Sequence, residues 1–393
     1  MAHLSTHSPV VAQTSAVETR PLVTPTDEQI QTLISKLGFS QLAFTIPQWT
    51  KITTMLQKYY NSFSHNGEIG LIPMEPVSIT LTSEAPIRIP PYKYSDEDRA
   101  IIDQILDDLL DKQIIAPGNG EYGVPVILVK SANKPPCLVF DLRLVNHSVT
   151  YTAPTTIPDI SDLLVKLRHA KVYSTFDIWR AYYHVPLCDR SAQILSISTA
   201  TNNYKVRRLP FGFHAAPMIF SRVLQDILKP VPQAKLIAYL DDICLIDQSL
   251  DGLIDTTAQL FECIQQNNIL LNPDKCKLFT RHITLLGHDI TPEGITLPFD
   301  PPEWVQKYPV PNTSKKLQSF VGLVNWAAKW IPNYGKIMRP LFNAQKSHPF
   351  HWTKDCQEVF DHLKNVICAV NQARLAPHLG LNKERLMVKR ALY

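Results

Sequence analysis

Two adjacent carboxylates interrupt an otherwise apolar stretch, Ala238-Tyr239-Leu240-Asp241-Asp242-Ile243-Cys244-Leu245-Ile246. Aspartate is a poor strand former and resists burial. A plain turn is one explanation, although two-residue turns favour Asn-Gly or Asp-Gly over Asp-Asp-Ile. A third carboxylate closes another apolar stretch, Tyr173-Ser174-Thr175-Phe176-Asp177-Ile178-Trp179. Alone, Asp177 reads as a strand-end residue capping the next segment. Together the two segments suit a specific chemistry. Neighbouring strands that each deliver a carboxylate at one end can hold two divalent ions about 3.5–4 Å apart, which clamp the entering and leaving oxygens of an in-line phosphoryl displacement. Mg2+ (or Mn2+) suits such hard oxygen donors. Without metal, like charges so close are costly, which weighs against a purely structural cluster.

The elements that must position these groups belong to a chain of 393 residues, a length that predicts two to four compact units. The charge of +4, from 39 basic and 35 acidic residues, permits nucleic-acid binding without arguing for it. Prolines number 31 and glycines 13, so corners are turned with proline and Gly-rich phosphate loops are not expected. No apolar run reaches the roughly 18 residues of a membrane span, and the N-terminus lacks the charged start and apolar centre of a secretory signal. The seven cysteines are scattered, with no C-x-x-C spacing, which speaks against a zinc site or disulfide framework and for a reducing compartment.

Residues 1–24 read as a disordered tail. Residues 27–60 carry two weak helical patterns, and the proline-rich 71–94 should run extended. A helix starts at Ser95, with Ile102, Ile105, Leu106, Leu109 and Leu110 on one face and a solvated acidic face opposite. Strands are expected at 124–130 and 137–143, joined by a SANKPP loop, and at 172–178. A hairpin is expected over 194–209 and another over 235–246, followed by one strand over 283–290. Helical spacing recurs at 158–168, 214–228, 253–264, 314–330 and 354–369. Mixed helices and antiparallel hairpins predict an α+β fold.

Five motifs then fall in a recognisable order. They are Phe176-Asp177…Ala181-Tyr182…Pro186-Leu187, Leu209-Pro210-Phe211-Gly212-Phe213…Ala216-Pro217…Phe220, Tyr239-Leu240-Asp241-Asp242, Leu285-Leu286-Gly287-His288, and Phe350-His351-Trp352-Thr353…Phe360…Leu363-Lys364. From about residue 75 to 370 the chain resembles the reverse transcriptases of retroviruses and gypsy-like LTR retrotransposons. The resemblance implies a right-hand polymerase whose antiparallel palm sheet is backed by helices. Its parts would be an N-terminal extension at 1–70, partly disordered; fingers at 71–152 and 188–212; palm at 153–187 and 213–290; thumb at 291–345; and the start of a connection region at 346–393.

The same resemblance implies the roles. Asp177, Asp241 and Asp242 would be the catalytic, metal-holding carboxylates, with two Mg2+ (or Mn2+) ions. Lys130, Tyr182, Phe211 and Gly212 would bind the dNTP, Tyr182 sitting under the sugar and rejecting a ribose 2′-OH. Leu286 and Gly287 would grip the primer. Gln318, Gly322 and Trp326, spaced i, i+4, i+8 on one helical stripe, would track the minor groove of the template–primer. Partners would be an RNA or DNA template with its primer, and dNTPs, with no membrane; the oligomeric state stays open. The location implied is cytoplasmic.

Blander readings exist for several of these residues. Lys130 could be a solvated strand-end lysine, Tyr182 a core tyrosine beside Tyr183, and Gly322 and Trp326 ordinary packing residues. The family pattern also breaks at two points. Cys137 stands four residues before Asp141, where an arginine that contacts the dNTP phosphates is usual; losing such a charged contact is worth roughly 1.5–3 kcal/mol. After residue 370 only Glu384 is acidic, so no ribonuclease H domain is expected there. Beside an active polymerase, two other readings therefore stand: a degenerate or co-opted protein that binds nucleic acid without efficient polymerisation, and a structural subunit of a larger polymerase.

Overall fold

A computed structural model describes residues 22–372, apart from 40–42, 84, 132–133, 151–159, 168–169, 297–302, 326–327, 329–330 and 332. Two compact units emerge, Met1–Leu286 with Ile290–Ile295, and Gly287–Asp289 with Thr296–Tyr393.

The chain begins with α1 (Asp27–Lys36), β1 (Gly38–Phe39) and α2 (Ile46–Lys58). An extended stretch holding only β2 (Thr80–Leu81) leads to α3 (Asp96–Asp111) and β3 (Ile115–Pro117). Next come β4 (Val124–Ser131), β5 (Lys134–Phe140), α4 (Arg143–Ser148), β6 (Val149–Thr150), α5 (Ile160–Lys166) and β7 (Val172–Asp177). They are followed by α6 (Asp189–Ile194), β8 (Ile197–Ser198), β9 (Asn203–Val206), α7 (Ala216–Ile227), β10 (Leu236–Tyr239), β11 (Asp242–Asp247), α8 (Leu250–Gln266) and β12 (Lys277–Thr280). A meander of β13 (Ile283–Leu285), β14 (His288–Thr291) and β15 (Gly294–Thr296) precedes the helices α9 (Glu303–Gln306), α10 (Ser314–Asn325), α11 (Tyr334–Ile337), α12 (Arg339–Lys346) and α13 (Lys354–Gln372).

The sheet that matters most has the order β1-β12-β7-β11-β10, with β7 at its centre. Its strands run antiparallel except for the β1–β12 pair. In β7 only Thr175 and Asp177 escape burial, so the strand is anchored along its length and frees its last residue. Helix α8 backs β7 and β11. Its stripe of Leu253, Ile254, Thr257, Leu260, Phe261 and Ile264 is buried, and Ser249 caps its start by accepting from the Gly252 N–H.

The segment expected as an N-terminal extension contributes to this core from α1 onward. Thr26 and Thr45 form capping boxes with Gln29 and Gln48, which fix where α1 and α2 begin. Ile52, Met55 and Leu56 are buried in the main core, and β1 pairs with β12. The ion pairs Lys51–Asp255 and Lys58–Glu262, each 3.2 Å, are exposed and add little; apolar burial holds α2 in place.

The second sheet runs β3-β9-β8-β4-β5. Here the expected SANKPP loop shrinks. Lys134, Pro135 and Pro136 belong to β5, where Ser131 pairs with Lys134 and Val129 with Cys137. Two successive prolines are tolerated because β5 is an edge strand and its register with β4 shifts between Val129 and Ser131, opposite them. The hairpin expected over 194–209 is shorter, β8 with β9, because α6 occupies residues up to Ile194. The single strand expected over 283–290 is two. Leu286 and Gly287 both have positive φ, 50° and 72°, the signature of a type I′ turn that reverses the chain between β13 and β14.

In the second unit α10, α12 and α13 share one core of Leu317, Phe320, Val321, Val324, Met338, Leu341, Phe360 and Leu363. The rings of Phe320 and Phe360 lie 4.6 Å apart. The expected junction at 345/346 falls at the last residue of α12, which packs on α13. No helix among the described residues is long and apolar enough to cross a membrane.

Candidate active site

Tyr239 pairs with Asp242 to close the β10–β11 hairpin, leaving Leu240 and Asp241 as its two-residue turn. Leu240 has φ 56°, as the first position of a type II′ turn requires, although a leucine there is strained. Behind the turn Ile243, Cys244, Leu245 and Ile246 are buried, so the hairpin tip cannot retract. Across the sheet Asp242 is the register partner of Asp177 and Ile243 that of Phe176. Because β7 and β11 are antiparallel, the end of one and the start of the other meet. The three expected carboxylates are thus gathered at one edge of the central sheet.

The carboxyls do not share an ordinary environment. Burial, and to a lesser degree the charge of Asp241, raises Asp177 above the usual carboxylate range. Burial, then Asp241 and then Asp177, raises Asp242, although its side chain still reaches solvent. Opposing these is Lys275, whose Nζ lies 3.4 Å from Asp177 Oδ2. Its loop is tied to the site, since the Asn272 N–H donates to the Asp177 carbonyl at 2.8 Å and the Lys275 N–H to the Asn272 carbonyl at 3.2 Å. The sequence reading missed Lys275. Its one signal was the turn-forming Asn272-Pro273-Asp274, which says nothing about a contact nearly a hundred residues away.

The donor set here fits a divalent ion. It consists of hard oxygens, its charge is balanced only in part by Lys275, and two members are destabilised by their own ionisation. Among the described residues no three His, Cys, Asp or Glu side chains already converge closely enough to hold an ion. Asp241 and Asp242 are exposed.

Next to the carboxylates lies an aromatic group. Tyr182 sits in a 3-10 turn, Ala181–His184, with its ring 4.9 Å from that of Phe211 and 5.8 Å from that of Phe220. Burial, then the charge of Asp241, pushes its hydroxyl up to about 12. Phe211 remains 38% exposed. Gly212 has φ 88°, and a Cβ there would stand 3.4 Å from the Phe140 carbonyl, so only glycine fits without strain. Asn146 on α4 locks this segment, donating to the Gly212 carbonyl at 2.9 Å and accepting from the His214 N–H at 3.0 Å. Asn146 was not foreseen either.

Other expected residues stand as follows. Lys130 forms an ion pair with Asp98, in the first turn of α3. The Asp98 N–H donates to the Ser95 hydroxyl at 3.2 Å, which caps the start of α3. Asp141 is buried and takes two 2.7 Å bonds from Arg143 and one from the Tyr92 hydroxyl, which hold its carboxyl well below the usual range. Cys137 is exposed on β5. Leu286 and Gly287 form the β13–β14 turn. Gln318 and Gly322 are exposed on the face of α10 away from its core, and a Cβ on Gly322 would meet nothing within 4 Å among the described residues. Trp326 lies outside the described residues.

Residues 133–290 match the family profile described as "Reverse transcriptase (RNA-dependent DNA polymerase)". Among curated proteins, the Retrovirus-related Pol polyprotein from transposon 412 of Drosophila melanogaster is 28% identical over 342 residues, covering 84% of this chain and 28% of the relative. The corresponding polyprotein from Drosophila transposon 297 is 27% identical over 349 residues, covering 86% and 33%. The chain therefore spans about a third of the length of the curated relatives it matches. Among solved structures, a foamy viral protease–reverse transcriptase in complex with double-stranded DNA superposes with a TM-score of 0.75 at 22% identity, over 89% of this chain and 62% of that one. A foamy viral protease–reverse transcriptase bound to an RNA/DNA hybrid gives 0.71 at 22% identity, over 88% and 47%. The fold is that of a right-hand polymerase.

Proposed function

We propose, from the reverse transcriptase domain that residues 133–290 form, that this chain is the polymerase part of a retroelement Pol polyprotein and acts as an RNA-directed DNA polymerase. The observation that carries the reading is the register of β7 and β11, which sets Asp177 opposite Asp242 with Asp241 adjacent and Tyr182 alongside.

In this reading Asp177, Asp241 and Asp242 would hold two Mg2+ or Mn2+ ions. When bound, these supply charge neutralisation at the oxygens that enter and leave the phosphorus centre. The reaction joins a primer 3′-OH to the α-phosphate of a dNTP and releases pyrophosphate. Tyr182, braced by Phe211 and Phe220, supplies a flat apolar floor for the sugar, where a 2′-OH would meet the ring. Gly212 allows close backbone approach of the nucleotide. Lys130 reaches a triphosphate only by leaving Asp98, so its contribution is conditional on that exchange. Leu286 and Gly287 support the primer end from a rigid turn. On α10 the exposed row of Gln318 and Gly322 follows the minor groove of the template–primer, with Lys315 and Lys316 near its phosphates, and Trp326 is assigned to the same role from its sequence spacing alone. A cytoplasmic place of work belongs to the same proposal.

The test is primer extension. Purified protein receives an RNA template, a DNA primer, dNTPs and Mg2+ or Mn2+, alongside Asp241→Asn. Extension by the wild type, with at least a roughly 100-fold loss in the variant, is the expected result. Cys137 favours a second reading, a relic that binds without turnover. Salt-sensitive binding to the hybrid with no extension by either protein would establish it and end the first.

A further inference from the structure

We infer that Arg208 positions the turn carrying Tyr182 and thereby sets how strictly the nucleotide site reads the sugar of its substrate; this rests on the polymerase reading above. Arg208 lies just before Leu209-Pro210-Phe211-Gly212 and is only 8% exposed. A buried guanidinium ordinarily lies against a carboxylate. Among the described residues none pairs with Arg208. Its Nη1 instead donates to two backbone carbonyls, Gly70 at 2.5 Å and Tyr183 at 3.2 Å. Burial, then Arg207, lowers its pKa to about 10, which leaves it charged at neutral pH.

Those carbonyls belong to segments that also meet through the main chain, where the Ile72 N–H donates to the His184 carbonyl at 2.9 Å, and Arg208 adds a side-chain clamp beside that bond. Tyr183 follows Tyr182 in the 3-10 turn. Gly70 lies against Asn268, where a Cβ would stand 1.8 Å from the Asn268 carbonyl. His184 completes the brace. It is fully buried, and burial lowers its pKa to about 3, so the ring is neutral. Its Nε2 accepts from the Leu270 N–H at 3.1 Å, which leaves Nδ1 to donate to the Ala181 carbonyl at 3.1 Å. On the other side the Leu209 N–H donates to the Val185 carbonyl at 3.0 Å.

Arg208 therefore fixes the backbone next to one member of the Tyr182–Phe211 pair and lies three residues before the other. The 4.9 Å spacing of those rings depends on both anchors. Because its donors end on carbonyls, Arg208 does not touch the nucleotide and is a positioning residue.

The test compares wild type with Arg208→Met, which keeps the apolar stem and removes the donors, and with Arg208→Lys, which keeps a charge able to reach one carbonyl. Amide hydrogen exchange is followed in residues 68–72, 180–187 and α8, and single-nucleotide incorporation is measured with dNTP and with rNTP. Arg208→Met should speed exchange in the first two segments and leave α8 unchanged. Its preference for dNTP should fall by about tenfold, mostly through a higher KM for dNTP, with partial recovery in Arg208→Lys. Unchanged exchange at 180–187, a preference equal to wild type despite a loosened turn, or faster exchange throughout α8 would each overturn the inference. If the wild type extends no primer, the polymerase reading falls and the sugar-reading role with it, while the exchange pattern still decides whether Arg208 holds the turn.

Discussion

At the scale of single residues, the site is a place where ionisation works against folding. Asp177 and Asp242 both have carboxyls raised above the usual value of 3.8, so their stabilising contribution is present in acid, below that value, and is lost as pH rises through the shifted one. Burial is the main cause at both, and the charge of Asp241 adds to it. In EDTA, Asp242→Asn should therefore melt above the wild type, and the gap should narrow as pH falls toward 4. Mg2+ or Mn2+ should reverse the order, because an ion that binds only the folded form raises its stability. Thermal melts with and without metal would decide. A variant that melts at or below the wild type in EDTA, or that gains equally from metal, contradicts this account of the site. Asp141 has the opposite sign. Its carboxyl is held low by Arg143, so its contribution is present at neutral pH and disappears in acid.

Individual elements explain why much of the molecule was legible and some was not. The helices at Ser95, Ser249 and Lys354 show apolar stripes with polar opposite faces, and strong periodicity survives tertiary context. The β10–β11 hairpin was legible because two acids in an apolar run have few other homes. Pro135 and Pro136 misled because proline reads as a loop unless the strand is known to be an edge, which is a property of the sheet. Leu286 misled because a left-handed leucine carries no local mark. Lys275, Asn146 and Arg208 were invisible because each acts on a segment far away in sequence. The crossing of residues 68–72 with 268–271 is equally long-range, and it supplies a stability test. Gly70→Ala would force a Cβ against the Asn268 carbonyl, 1.8 Å away. Backbone meets backbone there, so the loss should be about 3 kcal/mol or more in urea unfolding. A loss under about 1 kcal/mol, the ordinary effect of a single substitution, would mean that the two segments separate easily.

For the whole molecule, the charge of +4 conceals an uneven distribution. Acids crowd the outer face of α3, while Lys315 and Lys316 stand exposed at the start of α10 beside Gln318. If α10 follows a duplex, changing both lysines to glutamine should weaken template–primer binding alike for different sequences. It should also reduce the slope of log K against log salt by about 1 to 2. An unchanged slope in a filter-binding titration would move the duplex off this helix. The abundance of proline has a consequence at the same scale. β5 is the open margin of its sheet, and an open margin offers unpaired N–H groups on which a strand of another molecule can add. Pro135 and Pro136 have no N–H to offer, and both are exposed. The dipeptide thus makes this margin of the sheet a poor template for strand addition, which bears on how concentrated the chain can become before it self-associates.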